Sequence, residues 1–382
     1  MKIRIAIINL TGGGLGGGYY KYLRKMLPRI ATNSNVEALL CISPETINMK
    51  AWFTNHDNVQ FAYCKPFRFM RHSPDRVLRD HLSVFSPHVI FVPIARYFRY
   101  KDVPLVTKIR NMEPLTSPVR HSLLKERVRC WAQYLETWVA IKKSKRVIAI
   151  SDYVRSFLID KWHIPQGKIS LVYFGAELES EGVGLKPVLL PSEFENGFLF
   201  TAGCIELYRG LEDAIMAMKH IKQQHGNRIK LVIAGKARPA MLYYQNMLKE
   251  MINKYELESN IYWAGNLTPE EMMWCYKYSS VFLMTSRVEA CPNIALEALA
   301  MGCLCVVANN APLPEFFGDA ATYYAPGTGS NLAKAIEKVL SYSAEIRVEM
   351  KNKAQKRISQ YSWDLCANKT VETLTSAAQR GL

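Results

Sequence analysis

The chain has 382 residues, 49% of them apolar and 21% charged, which is enough for two globular cores and too apolar for a disordered polymer. The formal charge of +16 is unevenly shared: residues 1–180 hold 28 basic against 13 acidic side chains, residues 181–382 hold 21 against 20. No apolar run approaches the roughly 18 residues of a membrane span, and nine cysteines without a C-x-x-C pair read as reduced core residues rather than a disulfide framework.

A half carrying +15 fits a membrane surface, nucleic acid or a phosphorylated substrate, or is a solvated basic face with no ligand. In chain order, the first predicted strand is 3–8, and it opens straight into TGGGLGGGYY instead of a leader-like stretch, so a cytoplasmic protein is expected. Gly12, Gly14 and Gly17 satisfy G-x-G-x-x-G, yet glycine-dense runs meet that pattern by chance, and the second strand ends at Ser43 and Pro44 without a ribose-binding acid. Strands predicted at 36–42, 89–92, 105–109 and 147–150 alternate with helical patterns, the order of a parallel sheet wrapped by helices. The basic stretch 120–146 carries Trp131, Tyr134 and Trp138 at helical spacing, and either rests on anionic lipid or packs its stripe on the sheet.

Residues 181–197 interrupt the periodicity and predict a linker between a domain at 1–180 and one at 198–362. A helix over 363–382 is expected to pack back on the first domain. Strands at 198–202, 231–234, 261–264, 281–284 and 303–307 restart the alternation. The expected class is α/β, two Rossmann-like doubly wound domains facing a cleft.

Residues 285–310, TSRVEACPNIALEALAMGCLCVVANN, parse as a strand end, a loop with Glu289, a helix from about Pro292 to Met301, a Gly302 stop and another strand. The N–H groups of Asn293, Ile294 and Ala295 at that helix start are expected to offer an anion site. Glu289 and Glu297 are carboxylates suited to a ribose or hexose diol, or are solvated helix residues.

The spacing Glu289-x7-Glu297, with Pro292, Ala298, Gly302 and the following VVANNAPLPEFFGDAATYYAPG, resembles the retaining GT-B glycosyltransferases of family 4, or group 1, which include many bacterial polysaccharide enzymes. The likeness covers most of the C-terminal half. It implies Glu297 on the nucleotide ribose, Glu289 on the donor sugar as a catalytic candidate, and the backbone of Cys291, Pro292, Asn293 and Ile294 near sugar and phosphate. FTAGCIELYRGLEDAIMAM is similar too, with a strand end at Gly203. Relatives carry an Arg next and a Lys five residues later on the diphosphate, where this chain has Cys204 and Arg209. Arg209 is therefore the expected cation for the leaving diphosphate, with one of the two usual cations missing. Gly235 and Gly265 match the neighbourhood of the base.

The family also places a glycine-rich loop after the first strand, so Gly13, Gly14, Gly16 and Gly17 are expected to admit donor phosphate or acceptor without a side chain in the way. VTKIRNMEPL stands where many relatives have a His. Its Asn111 is expected to meet a hydroxyl, and Glu113 is either a base or a salt-bridge partner.

There is no Asp-x-Asp, H-E-x-x-H, G-x-S-x-G or phosphate-loop Lys motif, so transfer without a metal is expected, with no cofactor beyond the nucleoside-diphosphate sugar. The resulting expectation is a retaining hexosyltransferase acting on a glycan or glycolipid hydroxyl in the synthesis of O-antigen, capsule or exopolysaccharide. It would sit in the cytoplasm or peripherally on the inner membrane face. The alternatives are a nucleotide-sugar epimerase, or a non-catalytic or nucleic-acid-binding protein using the basic half. No nucleic-acid motif supports the last, so no nucleic-acid partner is expected.

Overall fold

The computed structural model describes residues 2–11, 17–44, 47–54, 56–66, 74–116, 123–176, 184–188, 190–194 and 197–379. It divides into two compact units, Met1–Gly175 with Tyr361–Leu382, and Ala176–Gln360.

In chain order the first unit holds β1 (Ile3–Ile8), α1 (Gly17–Ala31), β2 (Val36–Ser43), β3 (Val59–Tyr63), α2 (Arg76–Phe85), β4 (Val89–Val92), β5 (Leu105–Lys108), α3 (Glu113–Thr116), α4 (Leu124–Lys143), β6 (Arg146–Ala149), α5 (Asp152–Asp160) and β7 (Ile169–Leu171). Its strands form one parallel sheet in the order β3-β2-β1-β4-β5-β6-β7. The central strands β1 and β4 are almost wholly buried, as apolar runs covered by helices on both faces must be. Asp75 and Ser151 cap α2 and α5 by accepting from Leu78 and Val154 N–H groups.

The second unit holds β8 (Leu199–Ala202), α6 (Leu211–His225), β9 (Leu231–Ala234), α7 (Leu242–Lys254), β10 (Ile261–Gly265), α8 (Pro269–Tyr278), β11 (Val281–Met284), α9 (Asn293–Ala300), β12 (Cys305–Ala308), α10 (Leu313–Phe317), β13 (Ala321–Tyr324), α11 (Gly329–Leu340) and α12 (Ala344–Ile358). Its sheet is also parallel, in the order β10-β9-β8-β11-β12-β13. Helix α8 opens on a capping box: Thr268 accepts from Glu271 N–H while the Glu271 carboxylate accepts from Thr268 N–H, with Pro269 at the first helical position. Residues 184–194 lie in this unit. Leu190 and Phe194 are buried, and Leu185 N–H donates to the Glu270 carbonyl.

The chain then returns to the first unit as α13 (Trp363–Gln379), which packs on α1 and against β1, β4, β5 and β6. Buried Trp363 stacks on Phe174 at 6.0 Å and meets Tyr22 at 6.2 Å. The fit is close enough that a Cβ at Gly175 would lie 2.2 Å from Trp363 N.

Strands β3, β7 and β13 arise where the sequence pattern predicts none. Cys303 precedes β12 instead of lying in it, and its thiol donates to the Tyr276 carbonyl.

Candidate functional site

The second sheet reverses its strand order between β8 and β11, and ligands of such sheets bind beyond the carboxyl ends of the strands at that switch. Three adjacent strands end there in glycine: Gly203 after β8, Gly235 after β9 and Gly265 at the end of β10, with φ of 122°, 127° and 66°. Gly203 N–H donates to Ala234 O at 3.0 Å and Gly235 N–H to Gly265 O at 2.6 Å. A Cβ on Gly235 would sit 1.9 Å from Gly203 O, and one on Gly203 would press on the Arg209 guanidinium at 3.0 Å. At Gly235 and Gly203 only glycine lets the two strand ends approach this closely and leaves Arg209 room beside them.

Arg209 ends a short helical turn, Leu207–Arg209, and Gly210 at φ 62° swings the chain into α6. The turn is stitched to the segment after β11, because Thr285 Oγ1 donates to Arg209 O at 2.7 Å and Arg287 N–H donates to Tyr208 O at 2.7 Å. Arg209 Nη1 donates to Glu289 Oε1 at 2.6 Å and to Ser286 Oγ at 3.2 Å, whereas its buried Nε has no hydrogen-bond partner among the described residues. Burial alone would lower the guanidinium pKa. The Glu289 carboxylate, with Tyr208, outweighs it and holds the group above its ordinary value. A small cavity lined by Gly203, Cys204, Arg209, Thr285 and Ser286 opens beside it. Cys204 is exposed and so departs from the expectation that every cysteine is a core residue; the other eight are buried.

Beyond Glu289, Cys291 and Pro292 are buried and lead into α9. Asn293 and Ile294 keep N–H groups with no partner among the described residues, but Ala295 N–H donates to Pro292 O at 3.0 Å, which removes one of the three expected anion donors. The first turn tightens because Pro292 stands at the cap, where no side chain can accept. Glu297, one turn on, accepts at Oε2 from Tyr276 OH at 3.0 Å. Burial, and then the adjacent Glu297 carboxylate, push the Tyr276 phenol well above its ordinary pKa, so it remains a donor.

Some supports have no sequence signal, because their partners lie far apart in the chain. Arg238 forks onto both oxygens of Glu206 at 2.6 and 3.2 Å, bracing the loops after β8 and β9. Asp213 accepts from Tyr324 OH, Gly327 N–H and Arg287 Nη2, which ties α6 to the segments after β11 and β13. The acidic first turn of α6 marks Asp213 only in hindsight.

In the first unit, Gly13, Gly14 and Gly16 lie outside the described residues. Gly17 begins α1, and a Cβ there would meet only open space. Asn111 is exposed, and its Oδ1 accepts from Glu113 N–H at 3.0 Å, an Asx turn that starts α3. Glu113 lies 3.8 Å from Arg129, the salt-bridge arrangement. Arg110 lies over the ring of Tyr19 at 4.4 Å.

Two family models divide the chain: Glycosyl transferases group 1 matches residues 191–357 and Glycosyltransferase Family 4 matches residues 44–180. The chain belongs to the group 1, family 4 glycosyltransferases. It is 25% identical over 258 residues to an uncharacterized glycosyltransferase of Methanocaldococcus jannaschii, covering 65% of this chain and 63% of that one. It is 23% identical over 322 residues to a glycogen synthase of Mycobacterium tuberculosis, covering 82% and 73%. Among solved structures, a sucrose-phosphate synthase from Thermosynechococcus elongatus superposes with a TM-score of 0.74 at 15% identity over 99% of this chain and all of that one. Anabaena HepE in complex with UDP-glucose does so with 0.69 at 16% identity over 98% and 100%. The two parallel-sheet domains are thus those of the GT-B fold of this family. No helix among the described residues is long and apolar enough to cross a membrane.

Proposed function

We propose that this glycosyltransferase transfers a sugar from a nucleoside diphosphate, held by its second unit, to a hydroxyl of a lipid-linked glycan in cell-surface polysaccharide synthesis. The transfer retains the anomeric configuration and needs no metal. The observation that carries the reading is Arg209: a cation beside the glycine strand ends, held by Glu289 and Ser286 at the edge of a small cavity.

As the anomeric bond breaks, negative charge grows on the leaving diphosphate. A preoriented guanidinium in a partly buried site stabilises that charge with no rearrangement at the moment of reaction. The N–H groups of Asn293 and Ile294 add the positive end of α9. Glu297, oriented by Tyr276, accepts from ribose hydroxyls, and Glu289 divides its oxygens between Arg209 and the donor sugar. Gly203, Gly235 and Gly265 let the backbone meet nucleotide and sugar without side chains between them. In the first unit, Gly13, Gly14, Gly16, Gly17 and Asn111 form the acceptor side, and the basic surface draws it to an anionic membrane. The HepE complex with UDP-glucose makes a UDP-sugar the first donor to try.

The test is thermal shift and donor hydrolysis with UDP-, GDP-, dTDP- and ADP-sugars, with and without chelator, on wild type and Glu297→Ala. One nucleotide should stabilise the wild type whether or not chelator is present, and Glu297→Ala should abolish the response. Silence toward all four would sink the proposal and favour a non-catalytic role, which Cys204 in place of the usual Arg would then explain.

A further inference from the structure

Helix α4 buries acids and exposes apolar side chains on its outer face. Its two carboxylates, Glu126 and Glu136, are each only 5% exposed and pair with Arg129 and Arg96. Ile141, Ala140 and Cys130 pack into the core, but four other apolar side chains face solvent: Leu124, Val128, Trp131 and Trp138 are 74%, 58%, 63% and 43% exposed. Steps of four, three and seven residues keep these four on one side of a helix. Tyr134 turns away and packs edge-on against Trp162 at 5.5 Å, so it is not part of the ridge. Lys125, Arg127 and Lys143 are exposed along the flanks. The outer face of α4 therefore presents an apolar ridge between cations, with no exposed acid.

We propose that this face seats the first unit on an anionic bilayer surface, with Trp131 and Trp138 at headgroup depth and Lys125, Arg127 and Lys143 on lipid phosphates. The assignment rests on the reading above that the acceptor is lipid-linked, and it names the surface that meets the lipid. Charge selects the occupant. A second copy of the same face would set cation against cation, whereas anionic headgroups complement the flanks and the +15 of residues 1–180. Indole rings favour the interfacial layer, and lysine stems lie along apolar surface while their ammonium groups reach phosphate.

The experiment is co-sedimentation of the full chain with vesicles of phosphatidylcholine, with and without phosphatidylglycerol, read together with tryptophan emission. The expected result is binding that requires phosphatidylglycerol, weakens with salt and shifts the emission to the blue. Trp131→Ser with Trp138→Ser should lower binding about tenfold and remove the shift. Lys125→Gln with Arg127→Gln and Lys143→Gln should weaken binding and flatten its salt dependence. Val84→Ser, on α2 at 88% exposure, should leave binding unchanged. Circular dichroism and the nucleotide-sugar thermal shift on each variant distinguish lost docking from lost fold.

Equal binding by wild type and the tryptophan variant would overturn the proposal, as would lipid-free dimerisation abolished by the same substitutions. If vesicles are ignored while sugar still passes to a water-soluble acceptor, the docking face fails and the transferase reading stands. Vesicle binding without any nucleotide response would uphold the docking face and sink the transferase reading instead.

Discussion

At Arg209 a single guanidinium is held through Nη1 by Glu289 and Ser286 at the edge of the cavity, so its removal should act on the chemistry more than on binding alone. Arg209→Ala is expected to lower kcat by about a hundredfold or more, the cost of deleting one preorganised charge donor. Arg209→Lys should recover part of it, since an ammonium keeps the charge but loses the fork. Initial-rate kinetics would separate the two. Cys204 occupies the exposed edge of the same cavity. Cys204→Arg should restore a second cation and lower the donor KM several-fold with little change in thermal midpoint; an unchanged KM would mean the diphosphate does not pass that edge. Tyr276→Phe removes the hydroxyl that orients Glu297, and about 1–3 kcal/mol of lost satisfaction should appear as weaker donor binding by calorimetry.

Among the elements, the glycine ends of β8, β9 and β10 make a graded test. Gly235→Ala puts a methyl on Gly203 O in a backbone region L-residues avoid, whereas Gly265→Ala, at φ 66°, meets no neighbour within 4 Å. Urea unfolding should give roughly 1–2 kcal/mol for Gly265→Ala, the cost of left-handed backbone alone, and clearly more for Gly235→Ala. The sequence shows the interior strands plainly, and of the four edges it shows β10 but misses β3, β7 and β13. The missed three are half covered, with mixed burial where β4, β8, β11 and β12 are buried throughout. The site follows the same logic. Glu289, Glu297 and Arg209 stand out by spacing, but the Arg209 to Glu289 pair spans 80 residues, Glu206 to Arg238 spans 32, and Tyr276 to Glu297 spans 21. Such contacts follow from strand order, which a linear pattern does not contain. The outward ridge of α4 was equally ambiguous, since the same spacing describes a stripe packed on a sheet.

For the whole molecule, buried phenols set an alkaline limit. Burial, the largest cause in each case, raises the pKa of Tyr244, Tyr276 and Tyr324, so the folded chain keeps protons that the unfolded chain releases above about pH 10. Stability from these groups is complete below that pH and declines as pH rises, by about 1.4 kcal/mol per unit for each phenol. Urea midpoints measured from about pH 8 to 11 should fall throughout, because the buried thiols Cys41, Cys275 and Cys303, raised by burial, contribute from about pH 8.5 and the phenols join from about pH 10; a rise would reverse the assignment. Helix α13 supplies Trp363 to the core of the first unit but lies downstream of the whole second unit. On the ribosome, where the earlier domain ordinarily folds first, this order is inverted. The second unit has all its chain before the first receives its closing helix, so the apolar face under α13 stays uncovered until the last residues emerge.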